Sequence, residues 1–191
     1  MNLPSIITTI FIVCWLGFED WLIIRDRVQG RGKTEKDKGS LYFCLLGIVL
    51  GVTLAWIVNG KERFFFPGGR TTAVFIIGFT IMILGFTLRL WAITVLGKSF
   101  RITVETHEGQ KVVRNGPYRL LRHPAYSGMM LICIGYGTVV QNWLSLLFVI
   151  GLPLPAYLYR IYVEEATLRV SFGSDYDEYC THTKRLIPWI W

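Results

Sequence analysis

The sequence predicts an all-α integral membrane protein with five transmembrane helices. Of the 191 residues, 52% are apolar, and most lie in five runs near the length that crosses a bilayer as a helix. Seven tryptophans and nine tyrosines are typical of the aromatic belts at the faces of a membrane. The net charge of +7 comes from connecting segments, which indicates membrane-flanking cations and not a nucleic-acid groove.

The first span is predicted over residues 4–24. Glu19 and Asp20 lie near its end, and we interpret them as marking its limit, because carboxylates are costly on a lipid-facing surface. The following segment, 25–40, is the densest basic stretch in the chain. This excess of lysine and arginine predicts a cytoplasmic loop, which places the N-terminus on the outer side.

The second span is predicted over residues 41–59, followed by a short outer turn. Gly47 and Gly51 within it have the spacing that lets another helix approach closely. The third span covers 71–96 and returns the chain to the cytoplasmic side. It contains Arg89, which we interpret as reaching the interface or forming a structural ion pair rather than as a ligand contact.

Residues 97–123 form a polar cytoplasmic segment between the third and fourth spans. Apolar and polar residues alternate over 101–105, and Gly109 offers a turn, so a small hairpin and an irregular loop are both compatible with the pattern. We therefore divide the chain into three N-terminal helices, residues 1–96, and a catalytic region, residues 97–191.

The fourth and fifth spans, 124–140 and 143–163, form a helical hairpin over residues 124–163. Only two residues separate them, which predicts a tight turn. Pro153 and Pro155 in the fifth span predict a bend, because proline removes a helical hydrogen bond. Both ends of the hairpin then return to the cytoplasmic side.

The C-terminal stretch from residue 164 is polar and amphipathic, and its apolar residues recur at helical spacing. Gly173 predicts a break between two helices in this stretch.

The four cysteines are widely separated and form no C-x-x-C pair. This spacing predicts neither a zinc site nor a disulfide framework.

Charged side chains cluster at the two ends of the predicted hairpin. Pro124 suits the first turn of a helix, whose exposed N–H groups favour anions. Arg160 and Glu164, four residues apart, share a helix face, and alone they are compatible with a surface ion pair of little worth. The hairpin nevertheless brings both ends together and predicts a site at the inner interface. The converging charged side chains are Arg122, His123, Arg160, Glu164 and Glu165.

Several motifs from about Gln110 onward resemble the isoprenylcysteine carboxyl methyltransferase family. The R-H-P-x-Y pattern alone is shared with phospholipid methyltransferases and sterol-type reductases, whereas the motifs together are specific. They are Gly116-Pro117-Tyr118, Arg122-His123-Pro124-Ala125-Tyr126-Ser127-Gly128, Arg160 followed by Glu164-Glu165, Phe172-Gly173 with Tyr176 and Tyr179, and Thr183-Lys184-Arg185-Leu186-Ile187-Pro188.

The resemblance implies a membrane enzyme that uses S-adenosylmethionine and binds no metal. It implies that Arg160 meets the carboxylate of a lipophilic, prenylcysteine-like substrate, and that Arg122 is a second substrate contact or a structural one. The residues implied to contact the cofactor are Gln110, Lys111, Val112 and Val113 through their backbone, and Tyr118, His123, Pro124, Ala125, Tyr126 and Glu164.

The residue types agree with methyl transfer to a carboxylate. Such a nucleophile is already ionised at neutral pH and needs no general base. An arginine can orient it, and acidic or aromatic groups suit a cationic sulfonium. A soluble Rossmann methyltransferase is not supported, because no G-x-G-x-x-G follows a strand. The alternatives are a lipid N-methyltransferase, an NADPH-dependent sterol-type reductase and a non-enzymatic membrane scaffold.

Overall fold

The computed structural model describes residues 3–29, 37–68, 70–104 and 110–191. Within these ranges the protein is all-helical, as the sequence predicts, and the only strand-like pairings are two isolated bridges. Residues 101–104 of the predicted hairpin or loop are irregular, and 105–109 lie outside the described residues. The α-helices are α1 (Leu3–Val28), α2 (Ser40–Val58), α3 (Thr72–Leu96), α4 (Pro124–Val140), α5 (Trp143–Gly151), α6 (Pro153–Phe172) and α7 (Ser174–His182).

Four helical stretches in the described part of the chain are long and apolar enough to cross a membrane. They are Leu3–Val28, Ser40–Val58, Thr72–Ser99 and Trp143–Phe172, the last comprising α5 and α6. The predicted fourth span is the shorter helix α4, with 17 residues. The structure therefore shows a helical bundle with four stretches that could span a membrane and one shorter apolar helix.

Helix α1 continues past the limit predicted from its acidic residues. It runs to Val28, so the prediction that Glu19 and Asp20 end the span is wrong. Glu19 instead pairs with Arg89 of α3, which confirms the structural ion pair predicted for that arginine: the Arg89 Nη2 to Glu19 Oε2 distance is 2.5 Å. A carboxylate is tolerated within the span because its partner removes the cost of an isolated charge. Residues 30–36 of the predicted basic loop lie outside the described residues.

Helices α3 and α4 pack closely through paired glycines. A Cβ on Gly128 would lie 2.6 Å from the carbonyl oxygen of Gly85, and one on Gly135 would lie 2.6 Å from that of Gly78. Real Cβ atoms do not come that close to a carbonyl, so any side chain would push the helices apart. This contact fixes the start of α4 against Arg89, whose Nη1 donates to the Ala125 carbonyl at 3.3 Å.

Helix α2 packs in the same way against the junction of α5 and α6. A Cβ on Gly47 would lie 2.9 Å from the Leu152 carbonyl oxygen, and one on Gly51 would lie 2.9 Å from that of Phe148. The predicted close approach at this glycine pair is confirmed. Pro153 then begins α6, so the predicted bend is a break between two helices.

The hairpin turn and the C-terminal break also follow the predictions. Gln141 adopts a left-handed conformation with φ 56° after α4. The Asn142 side chain accepts hydrogen bonds from the N–H groups of Leu144 and Ser145, which caps α5. Gly173, with φ 54°, separates α6 from α7. Glycine adopts this positive φ without the strain that a Cβ would cause.

Candidate functional site

The site lies at the end of the bundle where α4 begins and where the C-terminal half of α6 lies. We call this end the site end. The C-terminal tail holds the entry to α4 in place through backbone hydrogen bonds. The N–H of Arg122 donates to the Lys184 carbonyl at 2.7 Å, and the N–H of His123 donates to the Arg185 carbonyl at 3.1 Å. Pro124 can then open α4 because its missing N–H would have had no helical partner.

Glu165 is the centre of a buried charge cluster. It is 1% exposed, and its carboxylate accepts from Arg122 Nε at 2.9 Å and from Arg185 Nη2 at 2.9 Å. His123 Nε2 lies 3.4 Å from it, and Arg169 Nη1 lies 3.5 Å from it. Sequence reasoning placed Glu165 among the converging charges but gave it no role; the structure makes it the anchor that joins α6 to the α4 entry and the tail.

Arg122 makes several structural contacts. Besides Glu165, its Nη1 donates to the carbonyl oxygens of Cys180 at 3.1 Å and Thr183 at 2.6 Å. These bonds connect α7 and the tail to the start of α4. Of the two roles that the resemblance implied for Arg122, the structural contact is present, and the substrate contact stays a prediction.

A tyrosine hydroxyl connects Arg160 to Glu164. Arg160 Nε donates to the Tyr126 hydroxyl at 2.8 Å, and that hydroxyl donates to Glu164 Oε2 at 2.7 Å. The His123 ring stacks on the Tyr126 ring with centroids 5.6 Å apart. The intrahelical pair considered from sequence is therefore bridged by a residue of α4. This bridge orders three side chains that the sequence assigned to the site.

Arg160 is almost fully buried, with 4% exposed, and its guanidinium is engaged by the chain itself. Nη1 donates to Asp37 Oδ1 at 2.9 Å and to Ser40 Oγ at 2.8 Å, and Nη2 donates to the Ile102 carbonyl. The arginine predicted to meet a substrate carboxylate thus already holds the carboxylate of Asp37. With the bond from Nε to Tyr126, these contacts use four of its five N–H groups, so a second carboxylate held by two parallel bonds must share or replace one of them.

Asp37 is held ionised by its surroundings. Burial by itself would raise the pKa of its carboxyl, but hydrogen bonds from the Leu41 and Val104 N–H groups and the charge of Arg160 hold that pKa below its ordinary value of 3.8. Sequence reasoning missed Asp37 because it lies in the segment interpreted as a basic loop. Its partner Arg160 is 123 residues away in sequence, so no local pattern could have paired them.

Two aspartates fasten residues 100–104, here called the wall segment, to the bundle. The N–H of Ile102 donates to Asp26 Oδ2 at 2.8 Å, and the N–H of Val104 donates to Asp37 Oδ1 at 3.1 Å. Phe100 and Ile102 also pack against the apolar core beside Leu22. These contacts give a fixed position to a segment without regular secondary structure.

A cavity opens between the wall segment, the residues before α4, and helices α6 and α7. Its walls surround about 910 Å³ of space, counting the open mouth. Nine of the ten residues predicted to contact a cofactor line it, as does Arg160. Pro124 does not, because it is buried in the packing at the start of α4. The nine are Gln110, Lys111, Val112, Val113, Tyr118, His123, Ala125, Tyr126 and Glu164.

Tyrosines form much of the cavity wall on the α7 side. Tyr179 donates through its hydroxyl to the Tyr118 carbonyl at 2.8 Å. Burial raises the pKa of Tyr118 and of Tyr179 far above the ordinary tyrosine value. Both phenols therefore stay neutral at physiological pH and serve as aromatic surfaces and as hydrogen-bonding groups, not as bases.

The described residues contain no cluster of histidine, cysteine, aspartate or glutamate that could hold a metal ion. In this part of the chain the four cysteines are free thiols.

The comparisons with known proteins point to membrane methyltransferases. Residues 73–175 match the family model described as phospholipid methyltransferase. The chain is 30% identical over 145 residues to a probable protein-S-isoprenylcysteine O-methyltransferase of Oryza sativa subsp. indica, covering 74% of this chain and 76% of that one. It is 33% identical over 132 residues to protein-S-isoprenylcysteine O-methyltransferase B of Arabidopsis thaliana, covering 68% of this chain and 67% of that one.

A solved structure is similar as well. The eukaryotic intramembrane Ras methyltransferase ICMT (isoprenylcysteine carboxyl methyltransferase) matches with a TM-score of 0.64 and 30% sequence identity. The match covers 74% of this chain and 52% of that one, so the present chain spans about half the length of that protein.

Proposed function

Because the chain belongs to the protein-S-isoprenylcysteine O-methyltransferase family, we propose that it transfers a methyl group from S-adenosylmethionine to the carboxylate of a lipophilic, prenylcysteine-like substrate. One observation carries this proposal beyond the family relationship. The cavity is lined by Arg160, suited to a carboxylate, and by Glu164, suited to a cation, and the Tyr126 hydroxyl connects the two.

The cavity residues fit S-adenosylmethionine by their chemistry. The cofactor carries a positive sulfonium and an ammonium group, which favour carboxylate oxygens and aromatic faces. The Glu164 side chain is 30% exposed at the cavity, and Tyr118 and Tyr126 border the same space. We assign the cofactor contacts to these residues, to His123 and Ala125 at the α4 entry, and to the Gln110, Lys111, Val112 and Val113 backbone.

The chain's residues contribute orientation and exclusion of water to the reaction. When bound, S-adenosylmethionine supplies a methyl group activated by its sulfonium. Arg160 orients the attacking carboxylate, Tyr126 fixes Arg160 and Glu164 relative to each other, and the buried walls keep water from the reacting groups. No proton is removed from the nucleophile, so the neutral tyrosines and His123 do not have to act as bases.

The carboxylate of Asp37 occupies the guanidinium that we assign to the substrate. Nη1 of Arg160 is shared by Asp37 and Ser40, and Nη2 binds the Ile102 carbonyl. We propose that the substrate carboxylate replaces Asp37 on the guanidinium, which exchanges one buried ion pair for another.

The placement in the membrane supports a lipophilic substrate. Arg160 and Glu164 lie on α6, which belongs to a stretch long and apolar enough to span a bilayer, so a substrate with a lipid tail can reach them without leaving the lipid. We propose that membrane lipids are the surrounding partners, that the N-terminus lies outside, and that the site end faces the cytoplasm, as the basic residues after α1 favour.

A methyl-transfer assay tests this function. Protein purified in detergent is incubated with methyl-labelled S-adenosylmethionine and S-farnesylcysteine, and label released by mild base reports a carboxyl ester. We expect ester formation by the native protein, loss with Glu164→Gln, and no change with Glu62→Gln, which alters an exposed glutamate outside the cavity wall. Failure of the native protein both to bind the cofactor and to form the ester would refute the proposal.

The family model favours one second candidate, methylation of a phospholipid amine. An amine must lose a proton before or during attack, and a neighbouring guanidinium such as Arg160 does not assist that loss. The same assay with phosphatidylethanolamine separates the two functions, because an N-methyl product keeps its label in base whereas an ester does not.

A further inference from the structure

Two hydroxyl groups on the cavity wall lack hydrogen-bond partners among the described residues. They are Thr103 Oγ1 and the Tyr176 hydroxyl. Thr103 is 9% exposed and Tyr176 is 2% exposed, and both residues line the cavity. Buried hydroxyls in folded proteins nearly always have a partner, because an unsatisfied one forfeits its hydrogen bonds to water. The shared cavity suggests that a ligand satisfies both.

Thr103 is held in position from both sides. Its neighbours Ile102 and Val104 donate their N–H groups to Asp26 and Asp37, and the Ile102 carbonyl accepts from Arg160. The backbone on either side of Thr103 is therefore fixed by buried charges. A hydroxyl placed on such a rigid segment is preorganised for a ligand and loses little entropy on binding.

Tyr176 contrasts with Tyr179, which lies nearby on the same helix. The centroids of the two rings are 5.9 Å apart. The Tyr179 hydroxyl donates to the Tyr118 carbonyl, whereas the Tyr176 hydroxyl has no hydrogen-bond partner among the described residues. Burial raises the pKa of Tyr176 well above its ordinary value, and the charge of Glu165 raises it further. The hydroxyl therefore keeps its proton and can act as a donor.

We propose that Thr103 and Tyr176 are ligand-binding residues whose hydroxyls hydrogen-bond oxygen atoms of the methyl donor. This inference rests on the proposed function and adds two contacts to those that the motifs imply. The methyl donor offers suitable acceptors in its amino-acid carboxylate and its ribose hydroxyls. The two residues come from the wall segment and from α7, so the ligand would join these two parts of the chain.

The test measures binding of S-adenosylhomocysteine by calorimetry and the melting temperature with and without that ligand. The variants are Thr103→Val and Tyr176→Phe, which remove one hydroxyl each and keep the shape. The matched controls are Thr138→Val and Tyr136→Phe, both on α4 and outside the cavity wall. We expect each cavity variant to weaken binding about five- to tenfold and each control to change it less than twofold.

The melting temperatures separate a ligand contact from a structural role. Since neither hydroxyl has a hydrogen-bond partner among the described residues, its removal should leave the melting temperature of the ligand-free protein unchanged or raised, while the rise caused by the ligand becomes smaller. Unchanged affinity, or a lower ligand-free melting temperature with an unchanged rise, would overturn the inference alone. Absence of binding by the native protein would overturn the proposed function as well.

Discussion

The carboxylate of Asp37 lies 2.9 Å from the guanidinium of Arg160, which joins the segment before α2 to α6 across the site. Both side chains are buried, so the loss of either one would leave an unpaired buried charge, which is more destabilising than the loss of an exposed pair. The same arginine is our candidate for binding the substrate carboxylate. The pair therefore connects the stability of the bundle to the availability of the site, and the first two predictions follow from it.

Asp37→Asn should lower the stability of the fold and strengthen the binding of the substrate. The free energy of unfolding should fall by about 3 kcal/mol, because Arg160 loses its buried counter-charge. The KM for the carboxylate substrate should also fall, because no internal anion competes for the guanidinium. Chemical denaturation and steady-state kinetics measure the two effects, and Asp20→Asn, on the exposed side of α1, is the control. A higher KM would show that Asp37 supports substrate binding.

The stability supplied by Asp37 should depend on pH in the acid range. Its folded pKa lies below its ordinary value of 3.8, so the unfolded chain binds the proton more tightly than the folded one. The contribution is therefore complete above about pH 5 and is lost as pH falls through the folded pKa. The difference in unfolding free energy between the native protein and Asp37→Asn should shrink below about pH 4, and a constant difference would contradict the assignment.

Substitution of the adjacent residues Glu164 and Glu165 should have different effects, one on cofactor binding and the other on the stability of the fold. Glu165→Gln should cost about 3–5 kcal/mol of stability, because several cations surround that buried carboxylate. Glu164→Gln should cost under about 1 kcal/mol, since the side chain is partly exposed, but should weaken S-adenosylhomocysteine binding at least tenfold. Thermal unfolding and calorimetry on both variants provide the comparison, each serving as the control for the other.

The glycine contacts between α3 and α4 should tolerate no side chain. Gly135→Ala places a methyl group 2.6 Å from the Gly78 carbonyl oxygen, so we expect at least about 1–3 kcal/mol of destabilisation. Gly17→Ala in α1 meets no atom within 4 Å and should be neutral or stabilising, because alanine favours the helix. Equal melting temperatures for the two variants would show that α3 and α4 can separate without cost.

The sequence was sufficient to predict the convergence of the α4 entry and the end of α6. His123 and Glu164 follow from the pattern because each lies where an apolar run begins or ends, and the two-residue turn brings those ends together. The distance of 3.8 Å between His123 Nδ1 and Glu164 Oε2 agrees with that prediction. Local hydrophobic patterning decides where the two helices begin and end, and the length of the turn decides that those ends lie side by side.

Other features depend on partners that are distant in sequence. The pattern alone makes Glu19 the end of the first span, because nothing nearby shows that Arg89, 70 residues later, neutralises it. Asp26 could not be matched with the Ile102 N–H, 76 residues away. A carboxylate in an apolar run indicates a helix limit unless its counter-charge is known, and that knowledge requires the folded structure.

Helix α4 is the shortest of the apolar helices that reach the site, and its 17 residues extend about 25 Å at about 1.5 Å per residue. The hydrocarbon slab of a bilayer is about 30 Å thick. A helix of this length whose far end reaches the opposite surface would begin a few ångströms beneath the near one, unless the lipid thins around it. In that placement a carboxyl group attached to an embedded tail would have only a short vertical distance to travel before it met the methyl donor.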